Sequence, residues 1–316
     1  MSSTPTTPMF VEQPVPAAQP QQKERRKWLR SAFPYLLVLP AFLLTVWILY
    51  PFVQAIIYSV QNYVLSNPFG IRFIGVRNYG NLLRDADFWH TVWITLAYTV
   101  VATGLELLLG LALAFLLQRQ TRINNVLTTL MMLPLMVAPI LASLMWKLLT
   151  NSEFGLATFI LSLFGVQKFP WGSSPNTAFL TVIMVDVWLY TPFMALLLVA
   201  GLRSLPQAPF EAAQIDNVSP WFTFRRLTLS LMKPYITTAV LFRVLQALQT
   251  FDIIFAMTGG GPGNALLNLQ IQSYNQAFMF LNLGVSSAML LILWLISYVI
   301  SQRMVSYWSK GRVTAR

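Results

Sequence analysis

The chain has 316 residues, of which 56% are hydrophobic and only 10% are charged, against roughly 25% charged in an ordinary soluble domain. One or two soluble domains cannot bury that much apolar surface, so the composition reads as a polytopic membrane protein. The absence of cysteine excludes disulfides, zinc–thiolate sites and cysteine nucleophiles, and a single histidine, His90, leaves no histidine-rich metal centre or proton relay. The net charge of +11, from 21 Lys and Arg against 10 Asp and Glu, would point to nucleic acid on a soluble chain. Here the cations lie mostly between apolar blocks, as the orientation bias of membrane proteins places them.

Residues 1–22 are rich in Pro, Gln, Ser and Thr and cannot bury enough apolar surface to offset their ordering entropy. Residues 1–30 are therefore expected to form a disordered tail that ends in the basic cluster Lys23 to Arg30. The tail holds no short apolar run with a small-residue cleavage site, so it does not read as a signal peptide. Its few cations around Arg25 are too small a patch for nucleic acid.

Six apolar blocks follow, each long enough for the about 20 residues a bilayer crossing needs. They cover 33–57, 89–116, 124–149, 177–201, 236–257 and 284–307. With the N-terminus cytoplasmic, 15 of the Lys and Arg fall on the cytoplasmic side and five in outer loops. That asymmetry puts both termini in the cytoplasm. The expected organisation is all-α: the tail, a six-span region over 31–308, and a short cytoplasmic tail over 309–316.

Four ionisable residues lie within spans, Glu106, Asp186, Arg243 and Asp252. Each is costly there and is expected to face the bundle interior or a water-filled cavity. Glu106 and Asp186 read as structural groups, paired, solvated or bridging helices. In span five, Arg243, Ala247 and Thr250 share a helical face, flanked by Gln246 and Gln249. Asp252 is nine residues beyond Arg243, about 180° around an ideal helix, so the two are not expected to pair. Such a polar stripe suits a many-hydroxyl solute or an interhelical hydrogen-bond network. Pro40, Pro134 and Pro139 read as ordinary kinks in membrane helices.

The longest cytoplasmic loop, 202–235, is not a generic tether. Pro209 lies two residues before Glu211, and Ala212 and Ala213 favour helix. The reading is a short amphipathic helix across the cytoplasmic face, then a turn near Asn217 to Pro220. Past span five, Gly259-Gly260-Gly261-Pro262-Gly263 lacks the Gly-Lys-Ser/Thr ending of a phosphate-binding loop. It reads as a structural turn or as a flexible turn facing an external solute receptor.

The run EAAQIDNVSPWFTFRRLTLSLMKP resembles the EAA loop of the membrane subunits of bacterial ABC importers. Glu211, Ala212, Ala213, Asp216, Phe224 and Leu229 match. Asn217 stands where Gly is usual and Ser230 where Pro is usual. Asn tolerates the left-handed backbone that such a Gly adopts. FDIIFAMTGGGPGNA (251–265) is similar to a stretch of carbohydrate-importer permeases, the class of the maltose and trehalose systems. FIGVRNYGNLLRDADFW (73–89), ELLLGLALAFLL (106–117), VDVWLYTPFMALLLVAGLRSLP (185–206) and LNLGVSSA (281–288) agree in the same order. The first-loop match resembles the larger maltose-type permease subunit, without its extra N-terminal spans and outer domain.

The resemblance implies the type I ABC importer permease fold and a coupling loop over about 203–235. Its residues Glu211, Ala212, Ala213, Asp216 and Asn217 would dock on a separate ATPase dimer. The implied partners are that dimer, a second homologous permease, an extracytoplasmic solute-binding protein, membrane lipid and a sugar. ATP and Mg would belong to the ATPase; this chain would carry no cofactor, metal or catalytic residue. Carried over position by position, the implied sugar contacts are Leu189, Tyr190 and Phe193 in span four and Arg243, Ala247, Thr250 and Asp252 in span five. Tyr190 and Phe193 offer rings to a pyranose, and Pro192 opens the helix ladder beside them. Several side chains differ from the maltose protein, so a glycerol phosphate or a polyol is an alternative solute. An ATP-independent carrier would show internal repeats and coupling-ion sites and has no use for an EAA loop. A membrane enzyme would need two carboxylates brought together.

Overall fold

The structure is a computed structural model and describes residues 21–166 and 169–313. Residues 1–20 of the tail expected over 1–30, residues 167–168 and residues 314–316 lie outside the described residues. The chain divides into two compact units, Met1–Gln54 and Ala55–Arg316. Helix α1 (Gln21–Ser59) starts inside the segment expected to be disordered. The Lys, Glu and Arg of that basic cluster are good helix formers, and a span immediately downstream nucleates them. Within the first unit, the described side chains from Leu37 to Pro51 are all exposed. They are overwhelmingly apolar, as on a helix solvated by hydrocarbon.

The second unit is helical, with two isolated bridges and no strand among the described residues. Helix α2 (Arg77–Arg84) leads into α3 (Ala86–Leu117), whose first turn Asp85 caps by accepting from Asp87 N at 3.0 Å. The third block is α4 (Arg122–Met131), a tight turn at Pro134–Met136, and α5 (Pro139–Leu149). After α6 (Leu156–Leu163) comes α7 (Pro175–Arg203), opened by a Ser174–Thr177 capping box with Pro175 in its first turn. Helices α8 (Ala208–Ile215) and α9 (Pro220–Phe222) lie in the loop 202–235. A widened π turn (Thr223–Thr228) joins α9 to α10 (Leu229–Leu248). Helices α11 (Asp252–Thr258), α12 (Leu269–Tyr274) and α13 (Leu283–Val313) complete the chain.

Two expected spans are broken. Block 124–149 bends by 94° between its halves. Pro134 and Pro139 each open a new helical segment, and Ala138, held extended before a proline (ψ 134°), turns the corner. Block 236–257 bends by 46° between α10 and α11. No Gly or Pro marks that break; Asn268, 18 residues downstream, donates Nδ2 to the Thr250 carbonyl that the break leaves free. The helical-wheel relation expected between Arg243 and Asp252 therefore fails, because Thr250 and Asp252 lie beyond the end of α10.

Helices α3, α7 and α10 pack closely because small residues sit at their crossings. A Cβ on Gly110 would come within 2.8 Å of Met194 Cγ, and one on Gly201 within 2.7 Å of Tyr235 Cγ. Ala102, Ala195 and Ala239 are fully buried in the same bundle. Helix α12 is pinned to α3 by Leu269 N donating to Thr95 Oγ1 at 2.9 Å. This bundle fixes the positions of everything described next.

Candidate functional site

Three of the four intramembrane ionisable residues meet. Arg243 on α10 donates Nε to Glu106 Oε2 at 2.6 Å and Nη2 to Glu106 Oε1 at 2.9 Å, a two-point fork onto α3. Nη2 also reaches Asp186 Oδ2 on α7. All three side chains have no exposure. The planar guanidinium suits this geometry, since it offers paired donors and always carries its charge. The membrane-enzyme reading needed two carboxylates close to one another. They are brought to one cation, but each is bound to it and sealed from solvent, so neither is available to a substrate proton.

The cluster borders a cavity. Tyr190 lies four residues after Asp186, on the same face of α7, and its ring covers the Arg243 guanidinium with Cζ 4.2 Å from the ring centroid. Tyr190 also lines a cavity of about 240 Å³ together with Leu135, Val137, Pro139, Leu189, Phe193 and Gln246. The wall is apolar and aromatic with one amide and one phenol, and it carries no charged side chain.

Leu189, Tyr190 and Phe193 thus come together as the resemblance implied. Of the four span-five candidates, none lines this cavity. Arg243 lies sealed in the ion cluster, Ala247 is buried against the bundle, and Thr250 and Asp252 are half-buried at the α10–α11 break. Gln246, three residues from Arg243, supplies the α10 contribution instead. Leu135, Val137 and Pro139 come from the bend of the third block and are not among the sequence candidates. The two prolines were the available signal, because they keep this stretch from closing into a helix whose side chains would point elsewhere. Beyond the break, Lys147 on α5 donates Nζ to the Ala256 carbonyl at 3.1 Å and ties α5 to α11.

A second site lies on α8. Glu211, Ala212, Asp216 and Asn217 are exposed, and Ala213 is buried. The helix ends in a Schellman motif: Val218 N donates to Ala213 O at 3.0 Å and Asn217 N to Gln214 O at 3.1 Å. Asn217 adopts the left-handed conformation this demands, with φ 51°. Ile215 is 85% and Trp221 68% exposed, so an apolar surface stands beside Glu211. A crevice of about 1010 Å³, walled in part by Phe115, Arg203, Phe210, Glu211 and Phe224, opens next to it. Arg203 caps the end of α3 there, donating to the carbonyls of Leu117 at 2.9 Å and Gln118 at 3.2 Å.

At the other end of span five, Gly259, Gly260 and Gly263 all have positive φ. A Cβ on Gly260 would strike Leu267 Cδ2 at 2.4 Å, so this run forms a tight turn.

The sequence pattern described as the binding-protein-dependent transport system inner membrane component matches residues 106–307, from Glu106 of the ion cluster through α8 and the glycine turn. The chain belongs to that family. It is 36% identical over 259 residues to the trehalose/maltose transport system permease protein MalF of Thermococcus litoralis, covering 82% of this chain and 86% of that one. It is 34% identical over 272 residues to the sn-glycerol-3-phosphate transport system permease protein UgpA of Yersinia enterocolitica, covering 84% and 90%. Its fold is shared with a bacterial ABC transporter involved in the import of the acidic polysaccharide alginate. That likeness has a TM-score of 0.73 at 19% identity and covers 94% of this chain and 99% of the other. The chain is a multi-pass membrane permease subunit of an ABC importer, with the all-α type I permease fold expected from its motifs.

Proposed function

We propose that this permease subunit moves a di- or oligosaccharide across the cytoplasmic membrane, driven by ATP hydrolysed on a separate ATPase dimer. The observation that carries the reading is the cavity formed by Leu189, Tyr190, Phe193 and Gln246: aromatic faces for the apolar side of a pyranose and an amide for its hydroxyls. The trehalose/maltose permease among its relatives supports the same solute class. At about 240 Å³ the cavity is one wall of a site that a second, homologous permease completes.

The ATPase dimer, holding ATP and Mg, docks on α8 through Glu211, Ala212, Ala213, Asp216 and Asn217, with Ile215 and Trp221 as apolar contacts. Glu211 pairs there with a basic residue. Closure of the dimer pulls α8; the π turn passes the movement to α10, and the Arg243 cluster makes α3 and α7 follow as one body. Rocking of that body exchanges inward for outward access. The solute arrives from an extracytoplasmic binding protein. Both termini lie in the cytoplasm, by the Lys and Arg asymmetry of the loops.

The test is purification of the tagged chain in nanodiscs with its partners identified by mass spectrometry, followed by reconstitution. Recovery of a second permease and an ATPase, with saccharide uptake that requires ATP, is the expected result. A chain that purifies alone and transports without ATP overturns the reading.

A further inference from the structure

We infer that the cavity selects uncharged saccharides over anionic ones, and that Glu106 and Asp186 impose this by consuming the charge of Arg243. The inference rests on the saccharide reading above and narrows its solute class. An arginine beside a solute cavity is ordinarily the feature that admits a phosphate or carboxylate, because its fork matches both. Here the Nε–Nη2 edge of the fork is already occupied, and Nη1 is buried without a partner, closed off from solvent. Glu106 takes Nε and Nη2, and Asp186 shares Nη2. The Tyr190 ring stands over the guanidinium and is itself part of the cavity wall.

Two carboxylates against one guanidinium leave a formal charge of −1, or zero when one carboxyl holds a proton. In neither state does the cluster offer surplus positive charge. The other charges of this region do not supply it. The Lys147 ammonium keeps its charge but lies outside the cavity lining, tied to the Ala256 carbonyl, and its formal charge is offset by Asp252 at the start of α11. An anion entering the cavity would lose hydration without gaining a cation. A saccharide with hydroxyls alone meets the amide of Gln246 and two rings and loses far less. Glu106 and Asp186 touch no solute; they are positioning residues that decide specificity by holding Arg243. Since one relative is named for glycerol 3-phosphate and one structural neighbour for acidic alginate, the fold itself does not bar anions.

The test uses the whole permease–ATPase complex in nanodiscs, without a solute-binding protein, so that receptor selectivity does not enter. Trehalose and trehalose 6-phosphate are the probes, and binding is read by saturation-transfer NMR and equilibrium dialysis. The wild-type complex is expected to favour trehalose by at least about tenfold, the scale of one unit charge at close range in a partly shielded site. Asp186→Asn and Glu106→Gln each take one negative charge from the cluster and are expected to narrow that ratio about tenfold, by easing its repulsion of the phosphate and leaving trehalose little changed. Equal binding of the two probes by the wild-type complex overturns the inference and leaves the saccharide reading standing. A ratio unmoved in variants that fold and assemble also overturns it. Where neither variant folds, the wild-type ratio alone decides. Failure of trehalose, maltose and longer uncharged saccharides to bind or be taken up would remove the saccharide reading itself.

Discussion

Arg243 and Glu106 join α10 to α3 through two parallel bonds, 2.6 Å from Nε and 2.9 Å from Nη2, with both side chains shut off from solvent. With Asp186 as the third member, one cation binds three helices. Removing Arg243 strands two buried carboxylates without a cation, which costs about 3–5 kcal/mol. Arg243→Ala is therefore expected to lower thermal stability in nanodiscs sharply, and Arg243→Lys, which keeps the charge but not the fork, to fall between. Replacing all three with apolar residues of similar volume should recover most of the loss, because no charge remains to be stranded. A triple variant no more stable than Arg243→Ala would contradict this account.

Glu211 differs in every respect that matters. It is exposed, and no ion-pair partner exists for it among the described residues. Surface substitutions of this kind shift stability by about 0.5 kcal/mol or less. Glu211→Lys should leave insertion and folding intact. Reversing one charge of a pair buried in a subunit interface costs about 2–5 kcal/mol or more, so ATP-driven uptake should fall by at least about thirtyfold. Near-normal uptake by a correctly inserted Glu211→Lys chain would remove α8 from the coupling path.

These two glutamates show where the sequence was readable. The spans were legible as apolar length, and α8 as Pro209, Ala212 and Ala213 ahead of a turn at Asn217, because each depends on neighbours in the chain. The cost of burying Glu106 was equally plain, yet its partner lies 137 residues away on another helix, and no local pattern encodes that distance. The same holds for span five. Its break at Gln249 to Phe251 carries no Gly or Pro and depends on the distant Asn268 accepting the role of capping Thr250. A helical wheel drawn through an unmarked break assigned Thr250 and Asp252 to faces that do not exist. The third block was a different failure. Pro134 and Pro139 were visible, but a 94° bend that brings Leu135, Val137 and Pro139 onto the cavity is a tertiary outcome.

Asn217 stands where the EAA-loop pattern this run resembles has Gly, and its φ of 51° lies in the left-handed region that both Gly and Asn tolerate. The Schellman bonds of Val218 and Asn217 need a left-handed residue at that point. Asn217→Gly should therefore be neutral within a few tenths of a kcal/mol or slightly stabilising. Asn217→Val places a β-branched side chain in the left-handed region and should cost about 1–2 kcal/mol. Because the strain falls on the end of α8, uptake coupled to ATP should suffer more than global stability. Hydrogen exchange of the Asn217 and Val218 amides, faster in Asn217→Val and unchanged in Asn217→Gly, is the measurement.

Gly104 and Gly110 sit on the same helix and predict opposite outcomes. A Cβ on Gly104 would meet nothing within 4 Å, whereas one on Gly110 would lie 2.8 Å from Met194 Cγ and 3.2 Å from the backbone N of Ala195. Met194 is able to yield, since its side chain is flexible; the α7 backbone is not. Gly104→Ala should therefore stabilise the chain by about 0.5–1 kcal/mol, the helix-interior cost of glycine. Gly110→Val should lose about 1–3 kcal/mol through overpacking at the α3–α7 crossing. The displacement would also move Glu106, one turn along α3, away from Arg243. Uptake by Gly110→Val should accordingly drop further than its thermal stability does. Equal behaviour of the two variants in a nanodisc unfolding series would show that α3 and α7 are not held by this close approach.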